Sequence, residues 1–272
     1  MNRLIIIGNG FDLAHGLKTS YEDFLIDYFK KVAINSLYYS DLYEDDEFID
    51  GYSSENYDNR NIETIFSKIK TIEELLNNNF IFISFSNDNW RRKIFENRKP
   101  IYFCVKNLFF KSLLQSNNWT DIESFYFQKL TIEFNKSKRV NQYARPNPKE
   151  LNQEFSILKN KIYSYLEEQN AKSEQLINSK YQEFIDSMFR DINNLNDNVI
   201  FLNFNFTRTL NHYTKLNHQI YHDVINIHGS LNNPNSLIFG YGDDSHKLYP
   251  ELEDSEVDDY LIKMHIVNFT SN

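Results

Sequence analysis

The 272-residue chain has a single cysteine, Cys104, and no long apolar run. One cysteine cannot form an internal disulfide framework, which favours a reducing cytoplasm over a secreted setting. A membrane helix needs about 20 apolar residues, whereas the stretches at residues 80–85 and 199–202 are far shorter. The apolar run at residues 4–7 is too short for the core of a signal peptide. We therefore expect a cytoplasmic protein without a membrane partner, in which Cys104 packs in the core.

Basic residues are in the minority, because 29 Lys and Arg stand against 38 Asp and Glu for a formal net charge of −9. This charge disfavours nonspecific attraction to nucleic acid or to an anionic membrane. His212, His218 and His222 are irregularly spaced, and the chain has neither CxxC pairs nor an HExxH motif, so no metal site is expected. The length suits one large domain, or one domain with an insertion.

A glycine turn follows the first apolar run: residues 8–12 are Gly-Asn-Gly-Phe-Asp, and a helical pattern begins near Phe24. This order of strand, loop and helix lets backbone N–H groups approach an anionic ligand such as a nucleotide phosphate. The dehydrogenase fingerprint is excluded because Leu13 stands where a third glycine is needed. A P-loop is excluded because the Gly-Leu-Lys-Thr of residues 16–19 lies too far from Gly10. Alone, the loop is equally compatible with a turn that binds nothing.

Helical patterns dominate the middle of the chain. Apolar residues step by three and four over residues 151–165 and again over 184–195, which predicts two helices. Pro100 is placed as the first residue of another predicted helix. The acidic stretch at residues 40–60 predicts an exposed loop or a poorly ordered excursion.

After Asn196 the pattern changes to short β-branched or aromatic runs, typical of strands, at residues 199–202, 220–227 and 237–239. We predict an α/β fold with a Rossmann-like, mostly parallel sheet shared by the first and the last strands. Residues 1–35 and 196–272 would form the nucleotide-binding core, and residues 36–195 a mainly helical insertion. Such sheets bind ligands beyond the carboxyl ends of their strands.

Three polar loops should meet at that edge: residues 8–12, residues 203–207 and residues 228–230. Each follows an apolar run and carries side chains able to make oriented contacts. Considered singly, Asn205 is equally a turn residue that bonds its own backbone, and His228 a histidine beside a glycine turn. Their coincidence at one edge is more specific than any single loop.

With their neighbours, these loops resemble the AbiH family of bacteriophage abortive-infection proteins. Residues 6–21 are similar to the family's N-terminal signature almost residue for residue, and residues 119–123 resemble a further family element. The later family blocks are matched at residues 203–207, 227–230 and 238–243. The resemblance implies an antiphage effector with a phage-derived trigger, and relatives that continue beyond Asn272.

A more distant resemblance is to the sirtuin-type fold, in which a glycine loop, an Asn-containing strand end and a His-Gly pair surround NAD. It implies Asn205 and His228 as catalytic residues. The implied NAD-binding residues are Gly8, Asn9, Gly10, Phe11, Asp12, Thr207, Gly229 and Ser230. Thr207 departs from the aspartate usual in sirtuin-like proteins, and zinc-binding CxxC pairs are lacking, so a zinc-dependent protein deacetylase is not expected.

Hydrolysis of NAD would make modest chemical demands on such a site. Nicotinamide leaves as a neutral molecule from a cationic ring, so no general acid is needed, unlike ordinary glycoside cleavage. Asn205 would orient a water and the ribose hydroxyls, and His228 would accept a proton. Backbone N–H groups near Gly8 and Gly10 would hold the diphosphate, while Asp12 would bond the ribose or fix the loop.

Two other readings remain open beside an NAD glycohydrolase. A noncatalytic module that senses NAD or an ADP-ribose derivative is favoured by Thr207. An interaction protein would act through its helical insertion, and either kind of protein could form a homo-oligomer. A nucleic-acid enzyme is opposed by the charge and by the lack of clustered metal-binding carboxylates.

Overall fold

The first apolar run forms a strand, β1, at Arg3–Ile7 in the computed structural model of the chain. The chain forms two compact units: unit 1 comprises Met1–Thr19 and Phe127–Asn272, and unit 2 is Ser20–Tyr126. The residues that the structure describes are 3–39, 42–85, 89–115, 119–138, 147–176, 179–188, 199–214, 222–231, 237–238 and 247–254.

Unit 1 combines short strands with helices of very different length. After β1 its elements are α1 (Gly10–Ala14), the end of α7 (Trp119–Ser137), α8 (Pro148–Ser173), a 3₁₀ turn (Glu174–Leu176), α9 (Ser179–Met188), β5 (Val199–Asn203), α10 (Thr209–Thr214), β6 (His222–Asn226) and α11 (Tyr249–Glu253). The predicted helix over residues 151–165 is confirmed by α8. Of the predicted strand at residues 237–239, Leu237 and Ile238 lie in no regular element, and Phe239 lies outside the described residues.

The strands of unit 1 form a parallel sheet in the order β1, β5, β6. Ile7 is paired with Asn203, and Asn203 with Asn226, so the three strands end at the same level. The ladder continues one step further, since the Phe204 N–H donates to the Ile7 carbonyl at 2.8 Å. The α/β class and the sharing of one parallel sheet by the first and later strands are thereby confirmed.

One face of this sheet packs on the core of unit 1. The buried residues of this core are Ile7, Ile185, Val199, Phe201, Leu210 and Tyr213. On the other face of β1, Leu4 and Ile6 are 63% and 66% exposed. This alternation follows from the two-residue period of a strand. Ile185 of α9 belongs to the same buried cluster as Ile7, so α9 packs beside the carboxyl end of β1.

Unit 2 contains a separate three-stranded sheet together with several helices. Its elements are α2 (Tyr21–Ser36), β2 (Ile49–Ser53), α3 (Asn59–Ser67), α4 (Ile72–Leu76), β3 (Ile81–Ser84), α5 (Trp90–Asn97), β4 (Ile101–Val105), α6 (Leu108–Leu113) and the start of α7. The central strand β4 pairs antiparallel with β2 and parallel with β3. Cys104 is 1% exposed within β4, as core packing requires.

Helix α2 explains why the unit boundaries differ from the predicted domain boundaries. A capping box between Ser20 and Asp23 starts the helix at Tyr21. The helix then packs closely on β2, where Gly51 lies so near that an added Cβ would be 2.7 Å from Cγ1 of Val32. The segment expected to join the nucleotide-binding core therefore covers the sheet of unit 2.

Two local predictions for unit 2 are wrong. The predicted exposed loop at residues 40–60 contains the buried strand β2, in which Asp50 is 1% exposed and pairs with Lys106 at 2.6 Å. The predicted helix from Pro100 begins instead as strand β4, and helical structure starts only at Leu108. Short apolar runs satisfy both patterns, and pairing with β2 and β3 decides for the strand.

Candidate functional site

The carboxyl edge of the parallel sheet in unit 1 brings the three predicted loops together. They contact one another through side chains: Thr207 donates from Oγ1 to Oδ2 of Asp12 at 2.6 Å, which joins the first loop to the second. The His228 ring centroid lies 5.8 Å from that of Phe204 and 5.5 Å from that of Phe206, which joins the second loop to the third. The predicted meeting of the loops is thus confirmed.

Gly8 and Gly10 need not be glycine for the fold. An added Cβ at either position would meet no heavy atom of the described residues within 4 Å, and neither backbone has the positive φ that favours glycine. The N–H of Phe11 donates to the Gly8 carbonyl at 2.9 Å and closes a tight turn between them. The backbone at both positions therefore borders open space.

Asn9 serves the shape of the first loop. Its Oδ1 accepts a hydrogen bond from Oγ1 of Thr19 at 2.6 Å, and its side chain makes no capping bond to α1. Thr19 is 3% exposed, so this bond is protected from water. Asn9 therefore fixes the loop on the segment that follows α1.

Asp12 is a buried carboxyl with one free oxygen. It is 1% exposed, and within the described ranges Oδ1 has no hydrogen-bond partner while Oδ2 accepts from Thr207. Burial raises the pKa of this carboxyl above its ordinary value, and the hydrogen bonds with Thr207 and Thr209 and the nearby His15 oppose that effect. A carboxyl thus stands beside the threonine that replaces the expected aspartate.

Asn205 has the least satisfied side chain among the predicted site residues. It is 3% exposed, and neither its Oδ1 nor its Nδ2 has a hydrogen-bond partner among the residues that the structure describes. Its backbone is well fixed, because its N–H donates to Oδ1 of Asn203 at 3.1 Å and Asn203 donates to Asn226 at 2.9 Å. A buried amide with both groups unpaired costs about 1–3 kcal/mol, so it is suited to receive a ligand.

The His228 ring lies against the aromatic rings of Phe204 and Phe206. Burial lowers the pKa of its imidazole below the ordinary value, and a hydrogen bond with the Ile238 backbone opposes this. Among the described contacts, none joins the imidazole to Asn205, whose amide is unpaired. The neutral ring is the favoured form at neutral pH, as a proton acceptor requires.

The third loop turns sharply after His228. Gly229 has a φ of 75°, in the left-handed region that favours glycine, and its N–H donates to the Asn226 carbonyl at 3.2 Å. Ser230, the next residue, is partly buried. Gly229 thus has a conformational role that Gly8 and Gly10 do not have.

Arg208 is a positioning residue that the sequence analysis missed. Its side-chain Nη2 donates to the Leu231 carbonyl at 2.7 Å and to Glu167 at 3.3 Å. Its backbone N–H donates to Oδ1 of Asn170 at 2.8 Å. It therefore ties the second loop both to the end of the third and to α8. An arginine directly after the Asn-Phe-Asn-Phe-Thr block was the available signal.

His15 was also missed, although it stands in the N-terminal block. Its Nδ1 donates to the Phe11 carbonyl at 2.7 Å, and its Nε2 is 2.5 Å from the Tyr213 hydroxyl. Its ring centroid lies 4.2 Å from that of Tyr181 on α9. With both nitrogens occupied, His15 holds α1 on α9 and α10.

A cavity of about 630 Å³ opens beside the first loop. Its floor includes Gly8 and Gly10, and its aromatic walls are Phe11, Tyr181 and Phe184. Aliphatic side chains complete the lining at Ile6, Ile7 and Ala14. The periodicity of α9 predicted that Phe184 lies on a helix, but it carried no information on where that helix packs.

A family model described as bacteriophage abortive infection AbiH matches residues 4–267, and this span includes all three loops. The chain belongs to the AbiH family. The resemblance drawn from the sequence is thereby confirmed, although most of the AbiH block at residues 238–243 lies outside the described residues. No curated protein and no solved structure matches the chain. A sirtuin-type fold for this AbiH protein stays a prediction.

Two further findings concern the described part of the chain. It contains no group of three or more His, Cys, Asp and Glu residues placed to hold a metal ion. No helix in it has the length and apolar character needed to cross a membrane.

Proposed function

We propose that this AbiH protein acts in abortive infection by binding NAD at the carboxyl edge of its parallel sheet and hydrolysing it to nicotinamide and ADP-ribose. The observation that carries the proposal is the buried amide of Asn205 within three converging loops, which pairs with nothing in the described part of the chain. A fold retains an unpaired buried amide at a cost, and a ligand that satisfies the amide on binding offsets that cost.

The first loop suits the diphosphate of such a ligand. The open space at Gly8 and Gly10 lets oxygen atoms approach the backbone N–H groups without a side chain between them. No packing or dihedral requirement of the described fold explains glycine at both positions. The two loop features, a bare backbone and a free amide, are separate and both suit a polar ligand.

The second and third loops supply groups for the hydrolytic step. Water would attack the ribose carbon bonded to nicotinamide, and the electron pair of the breaking bond would leave with nicotinamide, which needs no proton. Asn205 would hold the water and ribose hydroxyls in position, and His228 would take the proton that the water loses. Burial of His228 keeps its imidazole neutral and able to accept that proton.

The test is incubation of the purified protein with NAD, with nicotinamide and ADP-ribose separated by chromatography. Wild type should release both products in equal amounts, and Asn205→Ala should release far less. Asn152→Ala is the matched control, because Asn152 is a buried asparagine on α8, outside the three loops. If wild type leaves NAD intact and does not bind it, the proposal is wrong.

A second function, sensing of NAD or an ADP-ribose derivative without turnover, is favoured by one observation. The His228 ring packs on Phe204 and Phe206, and Asn205 has no hydrogen bond to it. A sensor would bind NAD in calorimetry yet release no nicotinamide over hours. Phage protection in cells that carry such a catalytically silent protein would favour sensing over hydrolysis.

A further inference from the structure

The cavity beside the first loop has a chemistry unlike that of the polar loops. Three aromatic side chains and three aliphatic ones form its walls, and its volume of about 630 Å³ falls in the range of small-ligand pockets. Phe184 lines this cavity and is 52% exposed, although burial of its apolar ring would be favourable. An apolar, aromatic-walled cavity of this size suits a flat ring.

The cavity is continuous with the two open glycines, because Gly8 and Gly10 form part of its lining. A ligand whose phosphates lie on the first loop therefore has its next group at the aromatic walls. Nucleotides have this construction, a phosphate chain linked through ribose to a flat base. Phe11 is packed edge-on against Tyr181, with ring centroids 6.2 Å apart. Of the three aromatic rings at the walls, that of Phe184 is the most exposed.

Hydrogen-bonding side chains are scarce at these walls. Among the described lining residues only Tyr181 has a polar side-chain group, and its hydroxyl donates to the Ala14 carbonyl at 3.0 Å. The described walls thus offer no free side-chain donor to the carbonyl of hypoxanthine, and only the Tyr181 hydroxyl oxygen could accept from the amine of adenine, so they distinguish the two bases weakly. Sites that do read such groups by hydrogen bonds discriminate strongly, because the wrong partner leaves buried groups unpaired.

We infer that this cavity binds the purine base of the nucleotide by stacking on Phe184, and that it accepts adenine and hypoxanthine alike. The inference rests on the proposed nucleotide site, and it adds which part of the ligand lies on α9 and how selectively that part is recognised. It concerns binding, so it holds for an enzyme and for a sensor.

The experiment is calorimetric titration of the full chain with three probes that the proposed hydrolysis leaves intact: ADP-ribose, its hypoxanthine analogue and inorganic pyrophosphate. Wild type should bind the first two with affinities of the same order. Phe184→Ala should weaken both by about tenfold, the usual loss on removing a stacking ring, and should leave pyrophosphate binding unchanged. Phe95→Ala is the matched control, because Phe95 is a 78% exposed phenylalanine on α5 of unit 2.

The outcomes separate the inference from the proposed function. Equal ADP-ribose affinity in wild type and Phe184→Ala overturns the stacking role while nucleotide binding stands. A hypoxanthine analogue that binds more than tenfold weaker than ADP-ribose overturns the lack of selectivity. If wild type binds neither ADP-ribose nor NAD, the proposed function fails and the inference fails with it. Circular dichroism checks that each variant is folded.

Discussion

Thr207 donates a hydrogen bond of 2.6 Å to Asp12 across 195 positions of the sequence. The bond joins the loop after β1 to the loop after β5, and both partners are buried. A carboxyl and a hydroxyl therefore occupy the place where the sirtuin resemblance leads one to expect a carboxylate alone. The departure at Thr207 weakens the case for catalysis less than the sequence suggested, because the first loop supplies the Asp12 carboxyl directly beside the Thr207 hydroxyl.

The buried carboxyl of Asp12 should make stability depend on pH. Burial raises its pKa in the native state, so the ionised form is less favourable there than in the unfolded chain, where the carboxyl ionises near pH 4. Native stability is therefore lost as the pH rises from about 4 through the raised native pKa. Asp12→Asn removes this loss, so its stability relative to wild type should increase from pH 4 to pH 7.

Urea unfolding of both proteins at several pH values measures this difference. Glu183→Gln is the control, because Glu183 is an exposed carboxyl on α9. A difference between Asp12→Asn and wild type that is constant over the pH range would contradict the burial of an ionisable Asp12.

Gly10 and Gly16 make a matched pair that separates ligand approach from backbone strain. Gly10→Val should stay folded, because an added Cβ meets nothing within 4 Å, yet it should abolish nucleotide binding by occupying that open space. Gly16 has a φ of 78°, so Gly16→Ala should lose about 1–2 kcal/mol of stability. Chemical unfolding and NAD titration measure the two effects. Unchanged affinity in folded Gly10→Val would contradict a phosphate role for the loop.

Gly51 should tolerate no side chain while Val32 is present. Gly51→Ala places Cβ 2.7 Å from Cγ1 of Val32 and should cost about 1–3 kcal/mol of unfolding free energy. In the background of Val32→Ala the same change should cost much less, since the clashing methyl group is gone. A double-mutant cycle by urea unfolding measures the coupling between the two positions. Additive changes in unfolding free energy would contradict the predicted clash between Cβ of residue 51 and Val32.

The meeting of the three loops was predictable because its signals are local. The glycine loop follows an apolar run directly, and the Asn205 and His228 blocks follow strands in the same way, so topology alone aligns them. Strand β2 was not predictable, because its buried Asp50 is paired with Lys106, a residue 56 positions later that composition cannot reveal. The aromatic walls of the cavity were missed for the same reason, since α9 reaches β1 only through tertiary packing.

Asn205 and Asn203 should respond oppositely to loss of the amide. Asn205→Leu removes an unpaired buried amide, so it should be neutral or should stabilise the free protein by up to about 1 kcal/mol. Asn203→Leu breaks bonds to Asn226 and to the Asn205 N–H and should destabilise by about 1–3 kcal/mol. Thermal and urea unfolding give both values. Marked destabilisation by Asn205→Leu would mean that its amide is bonded in solution.

The hydrolytic roles of Asn205 and His228 predict how their variants behave. Each alanine substitution should lower nicotinamide release by about 10²-fold, the usual contribution of a positioned base or orienting group. The double variant should lose little more than either single one, because both residues serve one step. NAD binding should survive better than turnover, since the diphosphate contacts lie on the first loop.

The pH profile sharpens this test, because an acceptor must be deprotonated. Burial lowers the pKa of His228, so the rate should stay flat on acidification from neutral pH and fall only below the ordinary histidine value of 6.5. Phe204→Leu is the control, since it alters the packing of the imidazole and keeps the acceptor. A decline with a midpoint above 6.5, or equal rates in wild type and both alanine variants, would remove His228 from the step. NAD bound without turnover would then make ligand sensing the function of this edge of the sheet.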